Sequence, residues 1–115
     1  MPKAILIVES RPAEPGRADE YHDWYDNVHL QDVISISGFS AARRYTLSEV
    51  QPGVTDPTRA ENLAIYDIDA PDLSAVLEGL RARFADGDLG VGGDSIQVDP
   101  APYVALFELR TSKSS

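Results

Sequence analysis

The strands at the two ends of this chain are apolar on both of their faces. From Tyr103 to Leu109, Tyr103, Ala105, Phe107 and Leu109 share one face, and Val104 and Leu106 share the other. From Ala4 to Val8, Ala4, Leu6 and Val8 alternate with Ile5 and Ile7 in the same way. An antiparallel sheet with one wet face alternates apolar with polar residues. Strands like these therefore ask for cover on both sides, and the fold must supply two covers.

The rest of the chain supplies one. Residues 4–9 read as a first strand and 11–16, with two prolines and a glycine, as a connector. Residues 18–30 read as a helix: Tyr21, Trp24, Tyr25 and Val28 recur at i, i+3, i+4 and i+7, and Asp19, Glu20, Asp23 and Asn27 take the opposite side. Gly38 opens a second strand, 39–48. A long loop with Pro52-Gly53 and Asp56-Pro57 leads to a third strand, 62–69. Pro71 stands near the start of a second helix, whose apolar face is Leu73, Val76, Leu77, Leu80 and Phe84. A Gly/Asp-rich loop at 86–94, a short strand at 95–98 and a last strand at 102–110 complete the order β-α-β-β-α-β. That order predicts an α+β ferredoxin-like fold: a four-stranded antiparallel sheet with both helices on one face. Residues 1–115 are expected to form a single domain, the size one core can fill. The second face then falls to the same sheet of another copy, so a homodimer is expected.

Charge narrows the partners. Nineteen acidic residues against ten basic ones give a net charge of -9. Such a surface repels phosphate backbones and anionic membranes, so neither nucleic acid nor a membrane is an expected partner. No apolar run approaches the ~20 residues of a membrane span. The short apolar start runs straight into Glu9 rather than a cleavage signal, and a cytoplasmic protein is expected. With no cysteine in the sequence, disulfides, thiolate catalysis and cysteine-ligated metals are excluded.

Both histidines of the chain fall in the first helix, in His22-Asp23-Trp24-Tyr25-Asp26-Asn27-Val28-His29. At 100° per residue His22, Asp26 and His29 lie within about 60° of one another, with Tyr25 beside them toward the buried face. The group runs along the seam between core and solvent, where a pocket between helix and sheet would open. Imidazole exchanges protons near neutrality, and a phenol donates to an oxyanion. The alternative is that a helix-end histidine merely caps a carbonyl or packs its ring. The same three side chains at i, i+4 and i+7 can also converge on an ion, but metal signatures are usually tighter, and no metal is expected. Tyr21 and Trp24 are expected in the core.

Other signals are weaker. Asp86-Gly87-Asp88 starts like a calcium loop, but Gln97 stands at its twelfth position. Gly90-Val91-Gly92-Gly93 lies among aspartates that repel phosphate. Pro2 invites comparison with enzymes that use an N-terminal proline as base, yet Met1 precedes it and blocks that amine.

Tyr21 to Leu30, Gly38-Phe39 and Ala42-Arg43-Arg44-Tyr45 together resemble the EthD-like branch of the dimeric α+β barrel superfamily. Gln31 and Ser37 depart from its pattern, each standing where proline is common. The resemblance implies a homodimer whose two sheets form a barrel, with one pocket per subunit between sheet and helices. It implies His29 as the helix-end histidine and Tyr25 and Arg44 as pocket residues. Lactone isomerases, polyketide cyclases, cofactor-free monooxygenases, decarboxylases, dehydratases and haem-binding proteins share this superfamily.

Three functions are expected. The first is a cofactor-free enzyme of isomerase or lyase type using general acid–base chemistry on a small aromatic, polyketide-like or lactone substrate. There His29 moves the proton, Tyr25 or Tyr45 stabilises an enolate oxygen, and Arg44 holds a carboxylate or phenolate. His22, Asp26 and Trp24 line the pocket beside Arg44. The second is a non-catalytic, dimeric ligand-binding protein. The third is haem binding with His29 as axial ligand.

Overall fold

The structure, a computed structural model, describes residues 3–115; Met1 and Pro2, and with them the reading of the Pro2 amine, lie outside the described residues. Strands β1 (Lys3–Ser10), β2 (Phe39–Thr46), β3 (Asn62–Asp69) and β4 (Tyr103–Glu108) form an antiparallel sheet in the order β2-β3-β1-β4. This is the ferredoxin-like order that the element sequence predicts. The expected last strand is trimmed to start after Pro102, which has no N–H for a ladder.

Register sorts the side chains. Leu6 lies opposite Tyr66 on one neighbour and Leu106 on the other, so these three share a face with Ala4, Ala64 and Ile68. That face is buried under helices α1 (Ala18–Trp24), α2 (Leu30–Ile34) and α3 (Leu73–Arg83). The opposite face carries Ile5, Ile7, Leu63, Ile65, Ala105 and Phe107, and nothing among the described residues packs over it as a second layer; Phe107 is 52% exposed. The molecule is a slab 22 Å thick, about the depth of one sheet and one helix layer.

Two local features decide where side chains point. The first is a bulge between Phe39 and Ala41, where Ser40 is the extra residue. Beyond it the alternation of β2 is inverted, so Ala42 and Arg44 join Phe39 on the helix side, and Arg43 and Tyr45 face the open side. Gly38, just before the bulge, has φ +98°, and a Cβ there would meet Val76 Cγ2 at 2.5 Å. Only glycine lets β2 start this close to α3.

The second is in the first helix. The sequence predicts one α-helix over 18–30. The chain instead runs from a 3₁₀ turn (Pro15–Arg17) through α1, then a π-helical turn over Tyr25–His29, then α2. The Leu30 N–H reaches back five residues to the Tyr25 carbonyl. A π turn holds an extra residue, so the helix beyond it is rotated by roughly one residue's angle from the α-helical projection.

Helix α3 is capped by Asp72, whose carboxylate accepts from the Ala75 N–H at 3.3 Å. The short strand expected at 95–98 is instead a 3₁₀ turn, Gly93–Ser95, followed by one isolated bridge between Pro12 and Ile96. Proline lacks the N–H that a longer ladder would need. The Gly/Asp-rich loop packs on Trp24, whose indole N–H donates to the Leu89 carbonyl at 2.8 Å. A Cβ on Gly92 would stand 3.2 Å from Trp24. Among the described residues no helix is long and apolar enough to cross a membrane.

Candidate functional site

Arg44 is the hub of the polar residues on the helix side. Its Nη1 donates to Asp26 Oδ1 at 2.8 Å, and its Nη2 lies 3.2 Å from His22 Nδ1. A guanidinium only donates, so Nδ1 accepts and the His22 ring carries its proton on Nε2. The guanidinium sits 4.3 Å above the Tyr25 ring and 5.3 Å from that of Tyr21. Its side chain is only 11% exposed, and its Nε is buried without a hydrogen-bond partner.

Beneath it lie four hydroxyls. Ser10 Oγ and Tyr21 Oη are hydrogen-bonded at 2.6 Å. Tyr25 Oη and Tyr66 Oη are buried and have no partner in hydrogen-bonding geometry, although they are close enough to influence each other's ionisation. Burial pushes the Tyr25 phenol up to about 12 and raises that of Tyr66 as well. Both therefore stay protonated in any ordinary buffer and remain donors. Together with Arg44 Nε they make three buried N–H or O–H groups without a well-formed hydrogen bond; the nearest acceptors of the Tyr25 phenol are the hydroxyls of Tyr66 and Ser10, which are near it but not in good geometry. Such groups are rare in folded proteins and each costs stability.

His29 does not join His22 and Asp26. The π turn carries it the other way, onto the Trp24 indole, where the rings stack at 4.6 Å and 23°. Tyr25 meets it edge-on at 5.2 Å and Phe84 at 5.4 Å. Its Nδ1 is buried and unpartnered. Burial pushes the imidazole down to about 4, opposed by Asp32 and aided by Arg83, so the ring is neutral near pH 7. The expected face of His22, Asp26 and His29 is thus split by the π turn. Among the described residues no group of three His, Cys, Asp or Glu side chains is placed to hold a metal ion.

Tyr45 also parts from the group. It pairs with Leu63 on the open face, is half exposed, and accepts from Arg43 Nε at 3.1 Å. Successive strand residues point to opposite faces, so Arg44 and Tyr45 cannot both reach one pocket. The phenol that stands with Tyr25 is Tyr66. The alternation of Asn62, Ala64, Tyr66 and Ile68 carried the signal, since these share a face and Tyr66 is the one with a phenol tip. Trp24 is a core residue with one ring face against His29.

The pocket expected between helix and sheet is filled by these rings: Tyr21, Trp24, Tyr25 and Tyr66 are each at most 1% exposed. Four clefts of about 410–490 Å³ lie elsewhere, and none is lined by Tyr25, His29, Arg44 or Tyr66. The haem reading does not fit this arrangement. His29 is held between Trp24 and Phe84, and none of these clefts brings a flat macrocycle to its nitrogen.

The fold is EthD-like. A solved structure of an ethyl tert-butyl ether D (EthD) family protein from Bacillus halodurans C-125 superposes with a TM-score of 0.57 at 12% identity, covering 96% of this chain and all of that one. A structural-genomics protein from Agrobacterium tumefaciens superposes with a TM-score of 0.51 at 13% identity, covering 100% of this chain and 97% of that one. No protein-family model and no curated protein sequence matches the chain.

Proposed function

We propose that the protein is a one-domain, homodimeric, cytoplasmic enzyme that performs cofactor-independent acid–base chemistry on a small aromatic, polyketide-like or lactone substrate. One observation carries the reading: three buried donors, Tyr25 Oη, Tyr66 Oη and Arg44 Nε, lie among the same packed rings without a well-formed hydrogen bond. Three such donors suit a ligand oxygen that bears or develops negative charge, as a carbonyl does on becoming an enolate. Two phenols held protonated and one guanidinium N–H would stabilise that oxygen in a site from which water is excluded. A neutral His29 is in the state a base requires. It would take the proton from the carbon next to the carbonyl and return it to another carbon or to a leaving group, giving isomerase- or lyase-type outcomes. Substrate would enter where the exposed Asp26 holds Arg44, with a substrate carboxylate replacing that of Asp26.

A second reading has its own support. The rings around His29 favour a binder without turnover, in which the imidazole only packs. The test is a screen of small aromatic acids, lactones and polyketide fragments for turnover, followed by His29→Ala. An enzyme loses roughly 10²–10⁴-fold in rate while its circular dichroism is unchanged. Its acidic pH limb falls near pH 4, where burial has put the imidazole, rather than near 6.5. Wild-type turnover in His29→Ala removes the base role. Saturable binding that Arg44→Gln weakens, with no turnover, leaves the binder.

A further inference from the structure

The end of the sheet, where Glu9, Ser10 and Tyr103 meet the loops, holds a cleft that the proposed acid–base chemistry does not use. It measures about 450 Å³ and lies at the end of β1, between Glu9 and Arg11, the loop residues Thr58–Ala60, and the segment Gln97 to Tyr103. Its floor is fixed. The Gln97 N–H donates to the Arg11 carbonyl at 2.9 Å, and the Ala13 N–H to the Ser95 carbonyl at 2.6 Å. Its loop wall is fixed too, because Arg11 Nη2 donates to the carbonyls of Thr58 (3.1 Å) and Arg59 (2.8 Å). Arg59 in turn forks onto the buried Glu9, with Nε on Oε1 at 2.8 Å and Nη2 on Oε2.

These bonds leave donors over. Arg11 Nε and Nη1 and Arg59 Nη1 have no hydrogen-bond partner among the described residues. Glu9, Arg11 and Arg59 are the only charged residues lining the cleft, two cations against one carboxylate. Asp56 also acts on Arg59 from the same loop, so anion binding here rests on the free N–H groups rather than on a net charge. The remaining wall is Pro100, Ala101, Pro102 and the half-exposed ring of Tyr103. We infer that this cleft is a second binding site, separate from the Tyr25 site, for a small organic monocarboxylate bearing a flat ring. The carboxylate lies on the free N–H groups of Arg11 and Arg59, and the ring lies against Pro100, Pro102 and Tyr103. Glu9 repels a second negative charge, which selects a monoanion over a phosphate or dicarboxylate.

Benzoate is the probe, benzamide its uncharged isostere, and amide NMR on the full chain the readout. Benzoate should shift Arg11, Thr58–Ala60, Gln97 and Tyr103 along one saturating curve, and benzamide should bind at least tenfold more weakly. Arg11→Gln should weaken benzoate at these residues roughly tenfold or more and leave any shifts at Tyr25 and Tyr66 unchanged. Glu9→Gln should tighten it several-fold by removing the opposing charge and freeing Arg59. This last variant tests the electrostatics even if Arg11→Gln fails to fold. Equal binding of benzamide, unchanged or weakened affinity in Glu9→Gln, or shifts confined to Tyr25 and Tyr66 would each overturn the second site. The last of these would instead favour the Tyr25 site, so the two proposals fail separately.

Discussion

The two faces of the sheet differ in an instructive way. The helix side holds unmet polar groups and no room: Tyr25, Tyr66 and Arg44 keep buried donors without a well-formed hydrogen bond, and the rings around them close the space. The open side holds room, and its carboxylates Asp67 and Glu9 are paired, the first half exposed and the second buried. Arg43 meets Asp67 at 2.9 Å, Glu9 takes the fork of Arg59, and three of the clefts are floored by this face. A ligand on the helix side must open the structure and gains three donors for doing so. A ligand on the open side finds space already formed, which in the proposed homodimer it shares with the second copy. The radius of gyration, 15.0 Å, exceeds the about 13 Å usual for a chain of this length. That is the shape of a sheet covered on one side.

The same substitution on both faces tests this difference most strongly. Ile68 is 2% exposed against the helices, and Ile65, three residues earlier, lies on the open face. Ile68→Asp buries an unpaired carboxylate and is expected to cost more than about 4 kcal/mol by urea unfolding. Ile65→Asp should leave the chain folded and act on association instead, halving the mass seen by light scattering from two chains to one. Equal losses of stability at the two positions, or a wild type that scatters as a monomer, would remove the contrast and the barrel reading with it.

A smaller effect separates the faces by pH. His29 on the helix side is held neutral by burial, pushed down to about 4 from an ordinary 6.5. The unfolded chain takes up a proton as pH falls below 6.5 while the folded chain does not. Stability is therefore flat above about 6.5 and falls toward pH 4, with a slope of at most about 1.4 kcal/mol per unit. Glu9 on the open side works in a lower range. Arg59's hydrogen bonds hold its carboxyl below the usual value; its contribution is present above the unfolded pKa and is lost as pH falls through the lowered one. Urea unfolding of His29→Gln across pH 4 to 7 should show the upper slope gone and the lower one kept. An unchanged slope between 6.5 and 4.5 would mean that the imidazole is not shielded from water.

Much of this was legible in the sequence because it depends on periodicity. The period-2 runs and the helical spacings of Tyr21, Trp24 and Tyr25 fix the element order, the two-faced strands and the burial of those rings. The candidate site was legible in part. Arg44, Tyr25, His22 and Asp26 do meet. The illegible part depends on one-residue irregularities. The π turn at Tyr25–His29 sends His29 away from Asp26, and the bulge at Ser40 decides that Arg44 rather than Tyr45 faces the helices. Neither leaves a composition signal, because a helical or strand residue looks the same in a regular turn as in an irregular one. Tyr66 stays hidden in the sequence for a related reason: a tyrosine in a core strand reads as packing until its hydroxyl is found without a partner.

That hydroxyl gives the smallest effect and the sharpest separation of stability from function. Tyr66 is 1% exposed, and its Oη has no acceptor or donor in hydrogen-bonding geometry. A buried, unpaired polar group carries its desolvation cost in the folded state only. Tyr66→Phe keeps the ring and its edge-to-face contact with Phe39, 6.1 Å between centroids, and deletes only the oxygen. The variant should therefore be as stable as the parent or more so, by up to about 1 kcal/mol. Tyr21→Phe provides the counterpart. Its hydroxyl is satisfied by Ser10 at 2.6 Å, so its loss leaves Ser10 unpaired and should cost about 1 kcal/mol. If the three donors exist to hold a ligand oxygen, Tyr66→Phe should also bind or turn over the screened substrate more weakly while it unfolds later in urea. A residue that only supports the fold cannot produce that opposition of signs. If Tyr66→Phe instead destabilises the protein as much as Tyr21→Phe does, the hydroxyl has a partner in solution, and the three-donor site loses its central observation.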